Sequence, residues 1–150
     1  MQKPFVLVAD DNEATCTLIT ALLRDDFEVD VAHDGSSAIE KLKGRQYAAV
    51  VLDLLMPRSD GYAVLDFVRE EQPALLPRLI VVTASVLRRE MERVNSYGVH
   101  TVLAKPFEID VLQDKVNECA GRSGPFDTRT PLLSTGMLFL LADLMRDRWM

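Results

Sequence analysis

Residues 48–57, with the sequence AAVVLDLLMP, form an apolar run that contains one carboxylate, Asp53, and ends at Pro57. A strand that is apolar on both faces belongs to a parallel sheet covered by helices on each side. Ligands of such sheets bind just beyond the carboxyl ends of the strands. The run therefore predicts a buried strand with an acid at its functional end. A lone acid in this place more often caps the next helix or is solvated, so the role of Asp53 depends on the rest of the chain.

Four other short runs have the apolar and β-branched character of strands, and they alternate with segments of helical period. These runs are residues 5–9, 27–32, 79–82 and 101–104. Residues 27–32 alternate apolar and polar side chains, which predicts an edge strand with one solvated face. Five strands that alternate with five helices predict an α/β fold, a doubly wound parallel sheet with right-handed crossovers.

The predicted helices have recognisable ends. Asn12 is a favourable N-cap for the first helix, Gly44 is placed to close the second helix in the C′ position, and Gly98 is placed to close the fourth. Apolar residues at three- and four-residue spacing predict the inward face of the first helix. They are Ala14, Leu18, Ala21 and Leu22.

Composition limits the function. Apolar residues make up 48% and charged residues 27% of the 150 residues, which are ordinary values for a globular domain. The formal charge of −6, without a basic cluster, disfavours direct binding to nucleic acid. No signal peptide is recognisable, so we expect a cytoplasmic protein. Cys16 and Cys119 have no metal-ligand spacing and are expected to be small buried residues or ordinary thiols.

The chain divides near residue 121. Residues 1–121 form the predicted domain, and residues 122–150 form a linker followed by an apolar segment. Residues 131–150 have the pattern of an amphipathic helix but are too short and too charged at the end to span a membrane. Such a helix would cover its apolar side either on its own domain or in a homodimer, and we expect the homodimer.

Polar side chains follow four of the five strands, at the carboxyl end of each. They are Asp10 and Asp11, Asp53, Thr83 and Lys105. Because the carboxyl ends of parallel strands share one edge of the sheet, these residues should meet in one cleft. Three carboxylates in one cleft repel unless a cation lies among them, and all-oxygen ligands favour Mg²⁺. Lys105 and Thr83 are suited to hold the oxygens of a phosphoryl group, which leaves Asp53 as the nucleophile.

The sequence resembles the receiver domain of two-component response regulators over about residues 4–120. The resemblance rests on the acid pair Asp10 and Asp11, on LDLLMP with Asp53 followed by Asp60 and Gly61, on VVTAS with Thr83, and on LAKPF with Lys105 and Pro106. It implies a flavodoxin-like sheet of strand order 2-1-3-4-5, with five helices. It also implies a signalling domain rather than an enzyme. Asp53 would accept a phosphoryl group from a phosphohistidine on a sensor histidine kinase or a phosphotransfer protein, and the change would be read by a downstream protein partner.

The resemblance also implies a role for each site residue. Asp11 and Asp53 would bind Mg²⁺ directly, with Mn²⁺ as a substitute, Asp10 would bind it through water, and the backbone carbonyl of Leu55 would complete the ligands. Lys105 would pair with the phosphoryl oxygens or with unphosphorylated Asp53, and Thr83 would turn its hydroxyl toward the phosphoryl group. The resemblance further implies a cis peptide bond before Pro106. It also implies that Leu55 and Ser85 tune the lifetime of the phosphorylated state.

One position departs from the family pattern. Val102 stands where the family usually has an aromatic residue that turns inward on activation, so the output face is expected to switch weakly or differently. The nearby His100 is better explained as a surface or core histidine than as a sensor. Two rival functions stay open. One is a haloacid-dehalogenase-like phosphohydrolase, whose motif needs an Asp where this chain has Leu55. The other is a scaffold module that keeps the fold without signalling.

Overall fold

The computed structural model describes residues 3–56, 61–85 and 87–121, and within them it contains a parallel sheet of five strands. The strands are β1 (Phe5–Ala9), β2 (Glu28–Ala32), β3 (Ala49–Asp53), β4 (Leu79–Thr83) and β5 (Thr101–Ala104). Their order across the sheet is β2-β1-β3-β4-β5, and every neighbouring pair is parallel. The predicted fold class and strand order are confirmed. The edge position of β2 also agrees with its alternating sequence.

In the described residues, four α-helices connect successive strands and a fifth follows β5. They are α1 (Glu13–Leu23), α2 (Gly35–Gly44), α3 (Gly61–Glu71), α4 (Arg88–Asn95) and α5 (Ile109–Cys119). A short 3₁₀ helix, Pro73–Arg78, lies between α3 and β4 and was not predicted. The N-cap prediction for α1 is confirmed, since the Asn12 side chain accepts a hydrogen bond from the Thr15 N–H.

Two apolar layers cover the two faces of the sheet. Along β1 the side chains alternate between them: Val6 and Val8 pack with α1 and α5, while Leu7 and Ala9 pack with α2, α3 and α4. All residues of β3 and β4 are buried, as the continuous apolar runs predict for central strands. The core therefore lies on both sides of the sheet and leaves its edges to carry polar groups.

The predicted inward face of α1 is wrong at three of its four positions, while the fourth, Leu22, is partly buried and packs against the apolar layer. The buried residues of this helix are Cys16, Ile19 and Leu23, whereas Ala14 and Ala21 are exposed and Leu18 keeps 47% of its surface in solvent. Both sets of residues recur with helical period, because α1 is apolar around most of its circumference. Periodicity gives the type of element in such a case, but only packing against the sheet decides which face turns inward.

The two helix-closing glycines differ. Gly98 has a φ of +83° after α4, so its predicted role is confirmed. Gly44 is instead the last residue of α2 and does not have a positive φ. The chain leaves α2 directly into extended backbone, with Arg45 at a φ of −159°, and no left-handed residue is needed there.

The predictions for residues 122–150 lie outside the described residues, as do Pro57 and Asp60. None of the helices in the described ranges has the length and apolar character that a membrane crossing requires.

Candidate functional site

The carboxyl ends of four strands bring the predicted site residues to one edge of the sheet. Asp10 directly follows β1, Asp53 ends β3, Thr83 ends β4, and Lys105 directly follows β5. The strand order reverses between β1 and β3, which are neighbours in the sheet. The site therefore lies at the topological switch point, where open α/β sheets bind their ligands.

Three carboxylates converge at this edge. Asp10, Asp11 and Asp53 each offer an oxygen, and these oxygens lie within 4.8 Å of one another. Asp10 and Asp53 are each only 4% exposed, while Asp11 is exposed to solvent. Such a cluster of hard oxygen ligands, open on one side, can hold a divalent cation that keeps part of its water shell.

Lys105 joins the two buried acids. Its Nζ atom donates to Asp10 Oδ2 and to Asp53 Oδ2, each at 3.2 Å. The contact to Asp10 goes beyond the sequence interpretation, which paired Lys105 with Asp53 alone. The single positive charge of Lys105 offsets only part of the negative charge of the two acids, and its side chain is 27% exposed, so it stays accessible to a ligand entering from solvent.

The pKa values follow from this arrangement. Burial raises the pKa of Asp53 and the negative charge of Asp10 adds to the rise, although the Leu55 N–H and Lys105 oppose it. Burial works to lower the pKa of Lys105, but its hydrogen bonds and the charges of both carboxylates outweigh that effect, so its pKa is raised. The cluster thus favours a bound positive charge, because Asp53 would otherwise tend to bind a proton.

The segment after β3 holds Asp53 in place. The Leu55 N–H donates to Asp53 Oδ1 at 3.1 Å, and the Leu54 N–H donates to the Val82 carbonyl at 3.3 Å. The Leu55 side chain is 60% exposed beside the site and carries no polar atom.

Gly61, the first residue of α3, approaches this segment closely. A Cβ atom there would lie 2.5 Å from Leu54 Cα and 2.8 Å from the Asp53 carbonyl oxygen. The Gly61 N–H also donates to the Leu54 carbonyl at 2.8 Å. Glycine is thus required for the close approach of α3 to the acid, a reason that the motif Asp60–Gly61 did not reveal.

Asp10 is held by contacts that sequence reasoning missed. Its Oδ1 accepts a hydrogen bond from the Asn12 N–H at 2.8 Å. Its backbone carbonyl accepts from the Cys16 thiol at 3.2 Å and lies 3.2 Å from Nδ1 of His33. Cys16 lies on α1 and His33 follows the last residue of β2, and no local sequence signal connects these two side chains with the acid pair.

Thr83 and Lys105 are tied together through the backbone. The Lys105 N–H donates to the Thr83 carbonyl at 2.8 Å, and the Lys105–Pro106 peptide bond is cis. Thr83 is buried, and its hydroxyl oxygen accepts a hydrogen bond from the Ser85 N–H at 3.1 Å. The Thr83 hydroxyl is therefore turned toward the loop that follows β4, next to the edge that carries the acids.

The two residues on or beside β5 that the sequence singled out lie away from the acids. Val102 is partly buried and packs against the apolar layer of α2, α3 and α4. The His100 Nε2 atom lies 3.7 Å from the Glu118 carboxylate on α5.

The fold, the acid cluster and its lysine define a phosphoacceptor domain, and residues 6–117 match the response regulator receiver domain family. The chain belongs to this family. It is a signalling module of two-component systems rather than a phosphohydrolase, and domains of this family interact with histidine kinases and with downstream partners.

Individual relatives agree with this membership. The chain is 31% identical over 130 residues to the transcriptional regulatory protein ZraR of Escherichia coli O157:H7, covering 86% of the chain and 29% of that protein. The chain thus spans less than a third of the length of this relative.

Solved structures show the same fold. The receiver domain of Francisella response regulator 1452 is 29% identical, with a TM-score of 0.73, over 80% of this chain and 98% of that one. The receiver domain of the sensor histidine kinase PA1611 from Pseudomonas aeruginosa PAO1 is 28% identical, with a TM-score of 0.70, over 79% of this chain and 98% of that one. Its structure has a magnesium ion coordinated in the active-site cleft.

Proposed function

We propose that Asp53 is the residue that accepts the phosphoryl group. It is the acid at the end of the central strand, and it contacts both Lys105 and the Leu55 N–H. In the transfer, a carboxylate oxygen of Asp53 forms a bond to phosphorus while the bond from phosphorus to the donor's imidazole nitrogen breaks. The leaving imidazole keeps the bonding electron pair, and the product is an aspartyl phosphate.

We propose that Asp10, Asp11 and Asp53 hold Mg²⁺, with the Leu55 backbone carbonyl as a further ligand and with Mn²⁺ as a substitute. The fit rests on three oxygens within 4.8 Å of one another and on one exposed acid that leaves room for water. The magnesium-bound relative from P. aeruginosa supports the choice of metal. The ion supplies positive charge to the oxygens of the transferred group. We assign Asp11 and Asp53 to direct binding and Asp10 to binding through water.

Lys105 and Thr83 complete the proposed site. The Lys105 ammonium group bridges Asp10 and Asp53, so it can exchange one carboxylate for a phosphoryl oxygen with a small movement. The Thr83 hydroxyl oxygen accepts from the Ser85 N–H, and a rotation of the side chain would let the hydroxyl proton be donated to the phosphoryl group. Leu55 and Ser85 are proposed to set the lifetime of the phosphorylated state, and the exposed Leu55 side chain carries no polar atom that could orient an attacking water.

The cellular setting follows from the family and the composition. We propose that a histidine kinase or a phosphotransfer protein phosphorylates this domain in the cytoplasm and that a downstream protein reads the change. Residues 1–121 form the receiver unit of this proposal. The charge of −6 supports an output through protein contacts rather than through direct contact with nucleic acid. The sequence left two arrangements open for residues 131–150, docking on their own domain and a homodimer, and these residues lie outside the described ranges.

The bridge from Lys105 to Asp10 and Asp53 carries the proposal, and labelling by acetyl phosphate tests it. With Mg²⁺ present, intact-mass spectrometry should show one added phosphoryl group on the unmodified sequence and none on Asp53→Asn. Asp11→Asn should label only at much higher Mg²⁺, because it lacks a metal ligand. Asp114→Asn, on the exposed side of α5, is the matched control and should label normally. An adduct on Asp53→Asn would refute the assignment, and no labelling of the natural sequence would favour the scaffold interpretation.

A further inference from the structure

The outer face of α1, formed by Ala14, Thr17, Leu18 and Ala21, is exposed but carries no charge. Between Glu13 and Arg24 the sequence has no charged residue, whereas each of the other four α-helices carries charged side chains within its span. Leu18, at the centre of this face, keeps 47% of its surface in solvent. A helix that is apolar around most of its circumference is normally covered on both sides, which indicates that the outer face of α1 has a partner.

The described part of the chain ends beside α1. Helices α1 and α5 contact each other on the same side of the sheet, and Leu23 and Cys119, near their carboxyl ends, belong to the same buried cluster. Residue 121 is followed by 29 further residues, of which residues 131–150 carry the apolar stripe of Leu138, Leu141 and Leu144. An extended connection over residues 122–130 reaches up to about 30 Å, which is more than the distance between adjacent helices requires.

We propose that residues 131–150 pack their apolar stripe on the outer face of α1 in the same molecule. The face needs an apolar partner, and the segment needs an apolar surface. The short connection keeps the segment at a millimolar effective concentration near α1 of its own domain, so docking in the same molecule should win over exchange with a second copy at ordinary protein concentrations. Docking in the same molecule replaces the homodimer expected from the sequence. The sequence placed Leu18 inside, but Leu18 is exposed and therefore offers the segment an apolar surface on its own domain.

The position of α1 gives the docking a consequence. Its N-cap, Asn12, directly follows the acid pair, and the Asn12 N–H donates to Asp10 Oδ1. A segment seated on α1 therefore lies next to the opening of the acid site.

Energy transfer from Trp149 tests the docking without any phosphorylation, so its outcome is separate from that of the proposed function. Trp149 is the only tryptophan in the chain and lies within the segment. A fluorescent acceptor is attached in the full chain at Asp25→Cys, an exposed position two residues past the end of α1. Buried Cys16 and Cys119, whose pKa values are raised to about 11, should stay unlabelled.

If the segment docks on α1, Leu18→Glu should lower the energy transfer from Trp149. The double variant Leu141→Glu/Leu144→Glu should lower it as well. Leu87→Glu, a change at a leucine that is 65% exposed and precedes α4, is the matched control and should leave the transfer unchanged. Thr17→Glu is a second variant on the same face, and circular dichroism checks that each variant is folded. Equal transfer in the Leu18→Glu and Leu87→Glu proteins would overturn the proposal. A loss of transfer on mixing with excess unlabelled chain would also overturn it, because the segment would then be exchanged between two copies.

Discussion

Replacing Lys105 by Met removes the cation that two buried acids share. At 3.2 Å and an effective dielectric constant of about 20, each Lys105–carboxylate contact amounts to about 5 kcal/mol of attraction, most of which is offset by desolvation. Breaking a buried pair typically costs about 3–5 kcal/mol. Because the Lys105 side chain is 27% exposed, water screens part of the effect, and we expect a loss of about 2–3 kcal/mol of unfolding free energy at pH 8 without metal.

The loss should depend on pH in a defined direction. Burial and the charge of Asp10 already raise the pKa of Asp53, and without Lys105 that pKa should rise further. An acid whose pKa is higher in the folded state contributes stability that is present below its unfolded pKa and is lost as the pH rises through its folded pKa. The unfolding free energy of the Lys105→Met protein should therefore be close to that of the natural protein near pH 4 and should differ most from it at pH 8.

Urea unfolding followed by circular dichroism, in EDTA and in excess Mg²⁺, measures both effects. Mg²⁺ should restore most of the lost stability, because it replaces the missing charge, and the variant should bind Mg²⁺ more tightly than the natural protein. Lys115→Met is the matched control, since Lys115 pairs with the half-exposed Glu118 and its loss should change stability by less than about 1 kcal/mol. A loss that is the same at pH 4 and pH 8, or that Mg²⁺ does not reduce, would contradict the electrostatic explanation.

Three further predictions concern single positions. Gly61→Ala should lower the unfolding free energy by about 2 kcal/mol and slow acetyl phosphate labelling, because the added Cβ meets backbone at 2.5 Å. Gly44→Ala, whose added Cβ would have no atom within 4 Å, should stabilise the protein slightly, and equal effects of the two changes would refute the steric explanation. Leu55→Asn should speed loss of the phosphoryl group by about fivefold, the effect of one hydrogen bond of about 1 kcal/mol to the attacking water. Equal decay rates, followed by mass spectrometry, would show that Leu55 does not set the lifetime of the phosphorylated state. Cys16 and Cys119, buried and with pKa values of about 11, should react with a thiol reagent at pH 8 at least about a hundredfold more slowly than in urea, and fast reaction of the folded protein would contradict their burial.

The sequence alone was sufficient to predict the five strands, the five α-helices, the fold class and the residues that meet in the site. Apolar runs without interruption occur where strands are buried on both faces, and the polar residue that ends each run marks the carboxyl edge of the sheet. Asp10, Asp53, Thr83 and Lys105 could thus be assigned to one cleft before any coordinates were known. Local patterns of this kind arise from backbone geometry and burial, so they can be read along the chain.

Tertiary structure decided what depends on packing between distant segments. Because α1 is apolar on more than one side, only its contact with the sheet and with α5 determined that Cys16, Ile19 and Leu23 turn inward and that Leu18 stays exposed. The second acid bound by Lys105 depends on the arrangement of β1, β3 and β5 in space, which the spacing of residues along the chain does not specify. The same reason applies to the contact of His33 with the Asp10 carbonyl and to the glycine required at residue 61, since both result from backbones brought together by the crossover connections.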